Sequence, residues 1–305
     1  MMQVDQAELM RILANSVASV TGQEVAVETQ VPGLSAFKIS TMSSPMAGFY
    51  EPSVCLIAQG AKRVQLGKET YYYDTENYLF SGLHLPVMAQ ALAVSETTPY
   101  LGLKLTFDQK EITQLIADGH LPTPSRHGNG RGMATGQLTP QLIEPFIKLL
   151  NLLDEPEHIP ALAPLYRKEI FYRLLVGEQG SLLRQLTAMG TQSSQVAKSI
   201  TWLKMNFAQA VRVEDLAEIA SMGVSTYHHH FRTMAAMSPL QYVKQLRLQE
   251  ARRLMLSEDL DAASASYKVG YESPSQFSRE YSRLYGCSPA KDISNIRGSL
   301  VHRSA

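Results

Sequence analysis

A chain of 305 residues, 45% hydrophobic and 18% charged, can bury a sizeable core and is expected to form two domains of ordinary size, which excludes a disordered or fibrous protein. Net charge is zero, yet residues 193–305 carry 14 Lys and Arg against 10 Asp and Glu, while residues 1–192 carry 14 against 18; phosphate contact is therefore expected at the C-terminal end only. No apolar run reaches the ~18 residues of a membrane span and the first ten residues lack a basic-then-apolar secretory pattern, so a soluble cytoplasmic protein without membrane contact is expected.

In chain order, Leu9, Ile12, Leu13, Val17 and Val20 recur at helical spacing and predict an amphipathic helix over residues 5–21. From residue 24 to about 105 the pattern changes to short β-rich runs. Strands are predicted over 36–41, 53–58, 62–66, 69–74, 78–82, 84–94 and 100–105, separated by turn residues at Gly60, Gly67, 74–77 and 95–99. Seven such strands predict a small barrel or jelly roll. Helical spacing resumes over 106–116. Residues 121–137 hold six Gly or Pro and predict a flexible loop; without a leading strand at the required spacing they are not a phosphate cradle. Three apolar helix faces follow, at 142–153, 167–176 and 180–189. The polar run 190–195 is the expected hinge, and residues 196–207 are a helix that buries Trp202 or lays it on its neighbour.

The stretch Tyr50-EPSVCLIAQGAKRVQLG, with Tyr73-Asp74 and Asn77-YLF after it, resembles the cupin-like N-terminal domain of one branch of AraC-type regulators, over about residues 20–190. That resemblance implies a β-barrel sensing domain whose added helices pack the barrel and support dimerisation. A cupin-type enzyme is the competing reading. Metal-binding cupins need several converging His or Glu ligands, and the barrel stretch holds the lone His84, so no metal and no cofactor are expected. No nucleophile triad or nucleotide fingerprint stands out. A small-molecule effector at an aromatic-lined barrel mouth is the expected ligand. The candidates are Phe37, Phe49, Tyr50, Cys55, Tyr71, Tyr73, His84 and Met88. Cys55 and Cys287 are too few for a disulfide framework or a cysteine zinc site; each reads as a small buried apolar residue, with a reactive thiol as the alternative for Cys55.

The most informative stretch, Val213 to Pro289, is written twice at an offset of fifty residues. Phe231 precedes Ser238-Pro239 by seven residues, and Tyr281 precedes Ser288-Pro289 by seven. Each copy has two helix-like runs around a break, with Ala217 or Ser266 as the small residue where the helices approach. Both copies read as helix-turn-helix units, the first recognition helix starting after Gly223 and the second after Ser273, with Pro274 in its first turn. Between them, Leu240, Val243, Leu246, Leu248, Ala251, Leu254 and Met255 predict one long linker helix.

These units, together with Leu246-Arg247-Leu248 and Val269-GYESPSQFSREYSRLYGCSP, resemble the DNA-binding domain of the AraC/XylS family over about residues 195–293. The chain departs from the family at Gly223, usually Ser, at Ala236, usually Gly, and at Ser266, usually Ala. The residues at the family's base-reading positions are Ser225, His228 and His229, flanked by Thr226 and Arg232, in the first unit. In the second they are Ser275, Gln276, Ser278 and Arg279. Gln and Arg suit bidentate contacts with adenine and guanine edges, so Gln276 and Arg279 are expected to discriminate most. Consecutive helical residues point about 100° apart, so His228, His229 and His230 cannot converge on one metal. Arg247 is expected to tie the two units together rather than touch phosphate.

The expected architecture is α+β and multidomain: a cupin-like β-barrel with flanking helices over residues 1–190, an all-α domain with two helix-turn-helix units over 191–297, and a disordered tail at 298–305. The expected function is that of a sequence-specific transcription regulator rather than an enzyme. Its expected partners are double-stranded DNA, a small-molecule effector, RNA polymerase and a second copy of the chain. An effector-independent DNA binder is the remaining alternative.

Overall fold

The structure, a computed structural model, describes residues 5–301 other than 24, 42–43, 120, 122–129 and 189. The chain divides into two compact units, Met1–Ser194 and Gln195–Ala305.

The first unit opens with α1 (Gln6–Thr21), whose Leu9, Leu13 and Val17 are buried at helical spacing. Ten strands are present among the described residues, all paired antiparallel: β1 (Ala26–Glu28), β2 (Leu34–Ile39), β3 (Met46–Tyr50), β4 (Ser53–Gln59), β5 (Ala61–Leu66), β6 (Glu69–Tyr73), β7 (Asn77–Ser81), β8 (Leu85–Leu92), β9 (Tyr100–Thr106) and β10 (Met133–Gln137). They form a six-stranded sheet, β1-β2-β9-β4-β7-β10, and a four-stranded sheet, β3-β8-β5-β6. The central strands β4 and β9 read as nearly continuous apolar runs because both of their faces are covered. Helix α1 packs against β2, β4 and β9, where Leu34, Ala36, Leu56 and Leu103 share one face and are fully or nearly fully buried. The opposite face of that sheet looks into the barrel.

The seven predicted strands are all present, and three more appear. The missed β10 lies in the span expected to be a flexible loop. Met-Ala-Thr-Gly-Gln carries no alternation, and the segment is a strand because it pairs along β7, Met133 opposite Ser81 and Gln137 opposite Asn77. Gly136 is the condition for that pairing, since a Cβ there would lie 2.4 Å from the Tyr78 hydroxyl. The Gly- and Pro-rich part of the expected loop, 122–129, lies outside the described residues. β8 stops at Leu92, short of the expected 94, because Ala93 turns into the left-handed region at φ 52°.

Helices α2 (Gln109–Asp118), α3 (Pro140–Asn151), α4 (Ile159–Val176) and α5 (Gly180–Thr187) complete this unit. Arg167 of α4 locks them to the barrel. Its guanidinium donates to both oxygens of Glu111 on α2, at 2.9 and 2.8 Å, and to the carbonyls of Pro32 and Thr106, at 2.6 and 3.0 Å. Planar forked recognition of this kind is specific to arginine.

The second unit is helical: α6 (Gln192–Asn206), α7 (Val213–Ile219), α8 (Val224–Ala235), α9 (Pro239–Ser257), α10 (Ala262–Lys268), α11 (Pro274–Tyr285) and α12 (Pro289–Val301). The expected hinge is already helical from Gln192, because the Thr191 hydroxyl accepts the Ser194 N–H at 3.1 Å and caps the turn. The expected disordered tail is also helical as far as Val301. Arg297 holds that last helix to α9 through the Met255 carbonyl, at 2.8 Å, and Asp259, at 2.6 Å. Residues 302–305 lie outside the described residues.

Each recognition helix, α8 and α11, ends in a left-handed residue whose N–H closes the last turn: Ala236 at φ 57° and Gly286 at φ 78°. Glycine is free there and alanine is strained by ~1 kcal/mol or more. Ala236→Gly should therefore raise stability by about 0.5–1 kcal/mol, and Gly286→Ala should lower it by a similar amount, in thermal unfolding followed by circular dichroism. Gly270 is more demanding. At φ 89° a Cβ would sit 2.1 Å from the Ala208 carbonyl oxygen, so Gly270→Ala should cost more than ~2 kcal/mol in the same measurement.

Candidate nucleic-acid interface and barrel interior

Both helix-turn-helix units are built from the same contacts. Ala217 and Ser266 are buried where the paired helices approach; the Ser266 hydroxyl, in the slot the family usually fills with Ala, donates to the Ala263 carbonyl at 2.7 Å and so leaves no polar group unmet. Tyr227 and Phe231 of α8, and Phe277 and Tyr281 of α11, are fully buried. Burying one face of each helix on these aromatic pairs turns the opposite face outward.

The outward faces carry most of the predicted residues. On α8, Ser225, Thr226, His229 and Arg232 are exposed, and on α11, Ser275, Gln276 and Arg279 are exposed. His228 and Ser278, at matching positions, are half-buried at the edge. Sequence reasoning missed Arg283, exposed one turn beyond Arg279 and on the same stripe; the spacing 276, 279, 283 was the available signal. Among the described residues no carboxylate lies within 4.0 Å of Arg232, Arg279 or Arg283.

His229 and His230 meet edge to face at 5.2 Å, and burial, then the neighbouring His229, push His230 below its usual pKa.

The second unit is the better capped. Ser273 caps α11 at 3.4 Å from the Gln276 N–H, and Asp261 caps α10 at 2.8 and 3.0 Å from the N–H groups of Ala263 and Ser264. In the first unit Gly223 and Arg212 stand at the same positions without a side-chain cap.

The linker helix α9 is clamped at two levels. Arg247 donates to the carbonyls of Phe207 and Gln209, both at 2.8 Å, and lies over the Tyr271 ring, which joins the α6–α7 loop to the second unit. These contacts are of the tying kind expected for Arg247. One turn earlier, Lys244 pairs with Glu280 of α11 at 2.8 Å, and Glu280 also accepts from Tyr271 and, at 3.3 Å, from Gln276. Burial alone would raise the Glu280 pKa, but the donors Lys244, Tyr271 and Gln276 outweigh it and hold the carboxyl below its usual range. Further along, Arg252 makes a forked pair with Asp292, at 2.7 and 2.9 Å, while Tyr281 donates to the same carboxylate at 2.7 Å.

In the first unit, strand register sorts the expected effector residues. Val64 and Leu66 of β5 are fully buried and mark the inner face of the smaller sheet. Tyr50, Tyr71 and Tyr73 lie on that face by register, Tyr71 opposite Val64 and Tyr73 opposite Lys62. Phe37 and Cys55 face inward from the larger sheet. Phe49, His84 and Met88 belong to the other side: Phe49 stacks on His84 at 4.4 Å and Met88 lies opposite Gln65. Burial pushes the Cys55 thiol up, against the pull of Lys62 and Lys104, so it stays protonated at neutral pH. Sequence reasoning missed Lys62, Tyr100 and Lys104, all inward-facing. The signal for Lys62 was its period-two register with Val64 and Leu66.

Residues 30–182 match the family described as AraC-type transcriptional regulator N-terminus, and residues 216–293 match a helix-turn-helix domain family. The chain belongs to the AraC-type transcriptional regulators. Among curated AraC-type relatives, the transcriptional activator RhaS of Salmonella schwarzengrund is 27% identical over 187 residues, covering 60% of this chain and 62% of RhaS. The regulator ExsA of Pseudomonas aeruginosa is 26% identical over 149 residues, 48% of this chain and 52% of ExsA. The virulence regulon activator VirF of Yersinia enterocolitica is 24% identical over 239 residues, 77% of this chain and 86% of VirF. The chain thus spans between half and two thirds of the length of RhaS and ExsA. Among solved structures, an apo lysine-to-alanine variant of ToxT from Vibrio cholerae aligns with a TM-score of 0.58 at 10% identity, over 87% of this chain and 98% of ToxT. ToxT bound to an unsaturated fatty acid aligns with a TM-score of 0.51 at 10% identity, over 85% and 93%. These two likenesses show the shared AraC-type fold. No described helix is long and apolar enough to cross a membrane.

The clamp makes a definite prediction for this AraC-type chain. Arg247→Met removes two charge-assisted bonds to backbone carbonyls and should lower the stability of the helical unit by about 2–4 kcal/mol in urea unfolding. If Arg247 instead touches phosphate, the stability loss will be small and the salt dependence of DNA binding will fall.

Proposed function

We propose that the chain is a sequence-specific DNA-binding transcription regulator that lays α8 and α11 in successive major-groove segments and receives a small-molecule effector inside its barrel. The observation that carries this reading is the doubled outward face. Two helices of one unit each bury an aromatic pair and present short polar and basic side chains outward, and a single 19-residue helix of about 28 Å joins them, close to one DNA turn of ~34 Å. In this reading the part up to about residue 190 senses the effector and the part beyond it binds DNA.

Recognition helices read bases from their first turns and touch phosphate farther along. Ser225, Thr226, His228 and His229 would read one half-site, and Ser275, Gln276, Ser278 and Arg279 the other, with Arg232 and Arg283 on phosphate. Gln276 is held by Glu280 in the free protein and must exchange that contact for a base. ToxT, solved with an unsaturated fatty acid and with a naphthalenyl butenoic acid bound, supports a ligand-responsive regulator of this fold. A homodimer and RNA polymerase are the further partners of this reading. Leu165 and Tyr172, exposed seven residues apart on one side of α4, supply an apolar surface for the first.

A mobility-shift assay against a genomic fragment library tests the DNA half of the proposal: some fragments should outcompete nonspecific DNA by ~10³-fold or more at moderate salt. If none does, the reading fails. On the best fragment, Arg279→Ala should relax preference at particular base pairs by about 1–3 kcal/mol. Arg283→Ala should instead weaken all sequences alike and reduce the salt slope by about one. For the sensing half, a metabolite library screened by thermal melting should contain compounds that raise the melting temperature and change affinity for that fragment.

A further inference from the structure

The barrel interior holds two cations that no carboxylate among the described residues neutralises. Lys62 projects from β5 on the face of the buried Val64 and Leu66, and Lys104 projects from β9 beside Cys55. The two lysines come from different sheets, and both act electrostatically on the buried Cys55 thiol. Each lies against aromatic rings: the Lys62 ammonium is 5.4 Å from the Tyr50 ring centre and 5.5 Å from that of Tyr100, and the Lys104 ammonium is 5.9 Å from that of Phe37. Among the described residues no carboxylate lies within 4.0 Å of either ammonium. The acids nearest in register are engaged elsewhere. Glu28 accepts from Ser35 at 2.7 Å, and Glu69 pairs with Arg131 at 2.7 Å.

Beside Lys62 stand two buried phenols. The Tyr50 and Tyr73 oxygens are both shielded from solvent and lie within reach of one another, but neither meets a partner at good hydrogen-bond geometry. A buried hydroxyl so poorly met costs ~1–3 kcal/mol, which an acceptor placed between the phenols and Lys62 would recover. Burial raises the pKa of both phenols, which keeps each an O–H donor at neutral pH.

We propose that the barrel interior is a carboxylate site: an organic acid whose head group takes the ammonium groups of Lys62 and Lys104 and the hydroxyls of Tyr50 and Tyr73, with its apolar body against Phe37 and Tyr100. An ionised carboxylate is acceptor-only, with about four lone-pair directions, and these four groups are all donors. Aromatic walls suit an apolar body. The site rests on the reading of the barrel as an effector pocket and names the chemistry of that effector.

The test uses the full chain with hexanoate and phenylacetate, each compared with its primary amide, by calorimetric titration and thermal melting. At least one acid should bind about tenfold or more tighter than its amide, since a hydrogen bond to a charged group is worth that much. Lys62→Met and Lys104→Met should each abolish the preference of acid over amide, and Tyr73→Phe should reduce it severalfold. Circular dichroism of each variant establishes that it is folded, and two separate lysine variants guard against the failure of one. Acid and amide binding equally, or a preference that survives both lysine substitutions, overturns the carboxylate site and leaves the effector reading standing. The site is equally overturned if neither acid binds; the effector reading then falls with it only if the metabolite library also contains no ligand.

Discussion

The helical unit depends on the two arginine clamps along α9. A linker helix by itself sets only a length, and two recognition helices at its ends would be free to roll about it. Arg247 removes that freedom at one level by joining the α6–α7 loop, through the carbonyls of Phe207 and Gln209, to the ring of Tyr271 in the second unit. Arg252 removes it at the other by joining α9 to Asp292 of α12, whose carboxylate also accepts from Tyr281 of the second recognition helix. Asp292 is 7% exposed, so loss of one partner would leave the others as buried unpaired charge, a change that costs several kcal/mol in comparable sites. Lys244 and Glu280 add a third tie from α9 directly to α11. The second unit is thus held to α9 by charge-assisted bonds of defined geometry, while α8 is held to it by apolar packing, Phe231 against Tyr242.

The same contacts show that the duplication is not symmetrical. Residue 242, fifty before Asp292, is a tyrosine, and it meets Phe231 edge to face at 5.6 Å where the second unit has its ionic clamp. Residue 230, fifty before Glu280, is a half-buried histidine with no equivalent of the Lys244 and Tyr271 contacts. The first recognition helix starts on glycine and ends on a strained alanine; the second starts on a capping serine and ends on glycine. These differences give the second unit more caps and charge-assisted contacts than the first, and it is also the unit that presents Gln and Arg, the side chain types suited to bidentate base contacts.

Much of this was legible in the sequence because the helical unit is made of local signals. The offset of fifty, the Ser-Pro starts and the helical spacing through Met255 place each helix within a residue or two, and the structural role of Arg247 follows from its place on the linker. The barrel was legible only in part. Strands with strong β composition were found, whereas β10 was not, since its pairing with β7 is a long-range contact that small residues do not announce. The inward set was half right for the same reason. Phe49, His84 and Met88 are aromatic or soft residues that suit a pocket by type, but register turns them to the outside, and the same register turns Lys62 inward. Composition cannot reveal which face a residue occupies when both faces of a strand are covered.

The central claim is that two recognition helices at a fixed distance and angle read DNA together. The most direct test takes the chain's best genomic site and inserts five base pairs between its two contacted segments, which turns one half-site to the opposite side of the duplex. The account predicts that affinity falls to near the nonspecific level, ~10³-fold or more at physiological salt, and that an insertion of ten base pairs does not restore it, because α9 cannot lengthen. Affinity unchanged by the five-base-pair insertion would contradict the account and mean that one helix alone carries recognition.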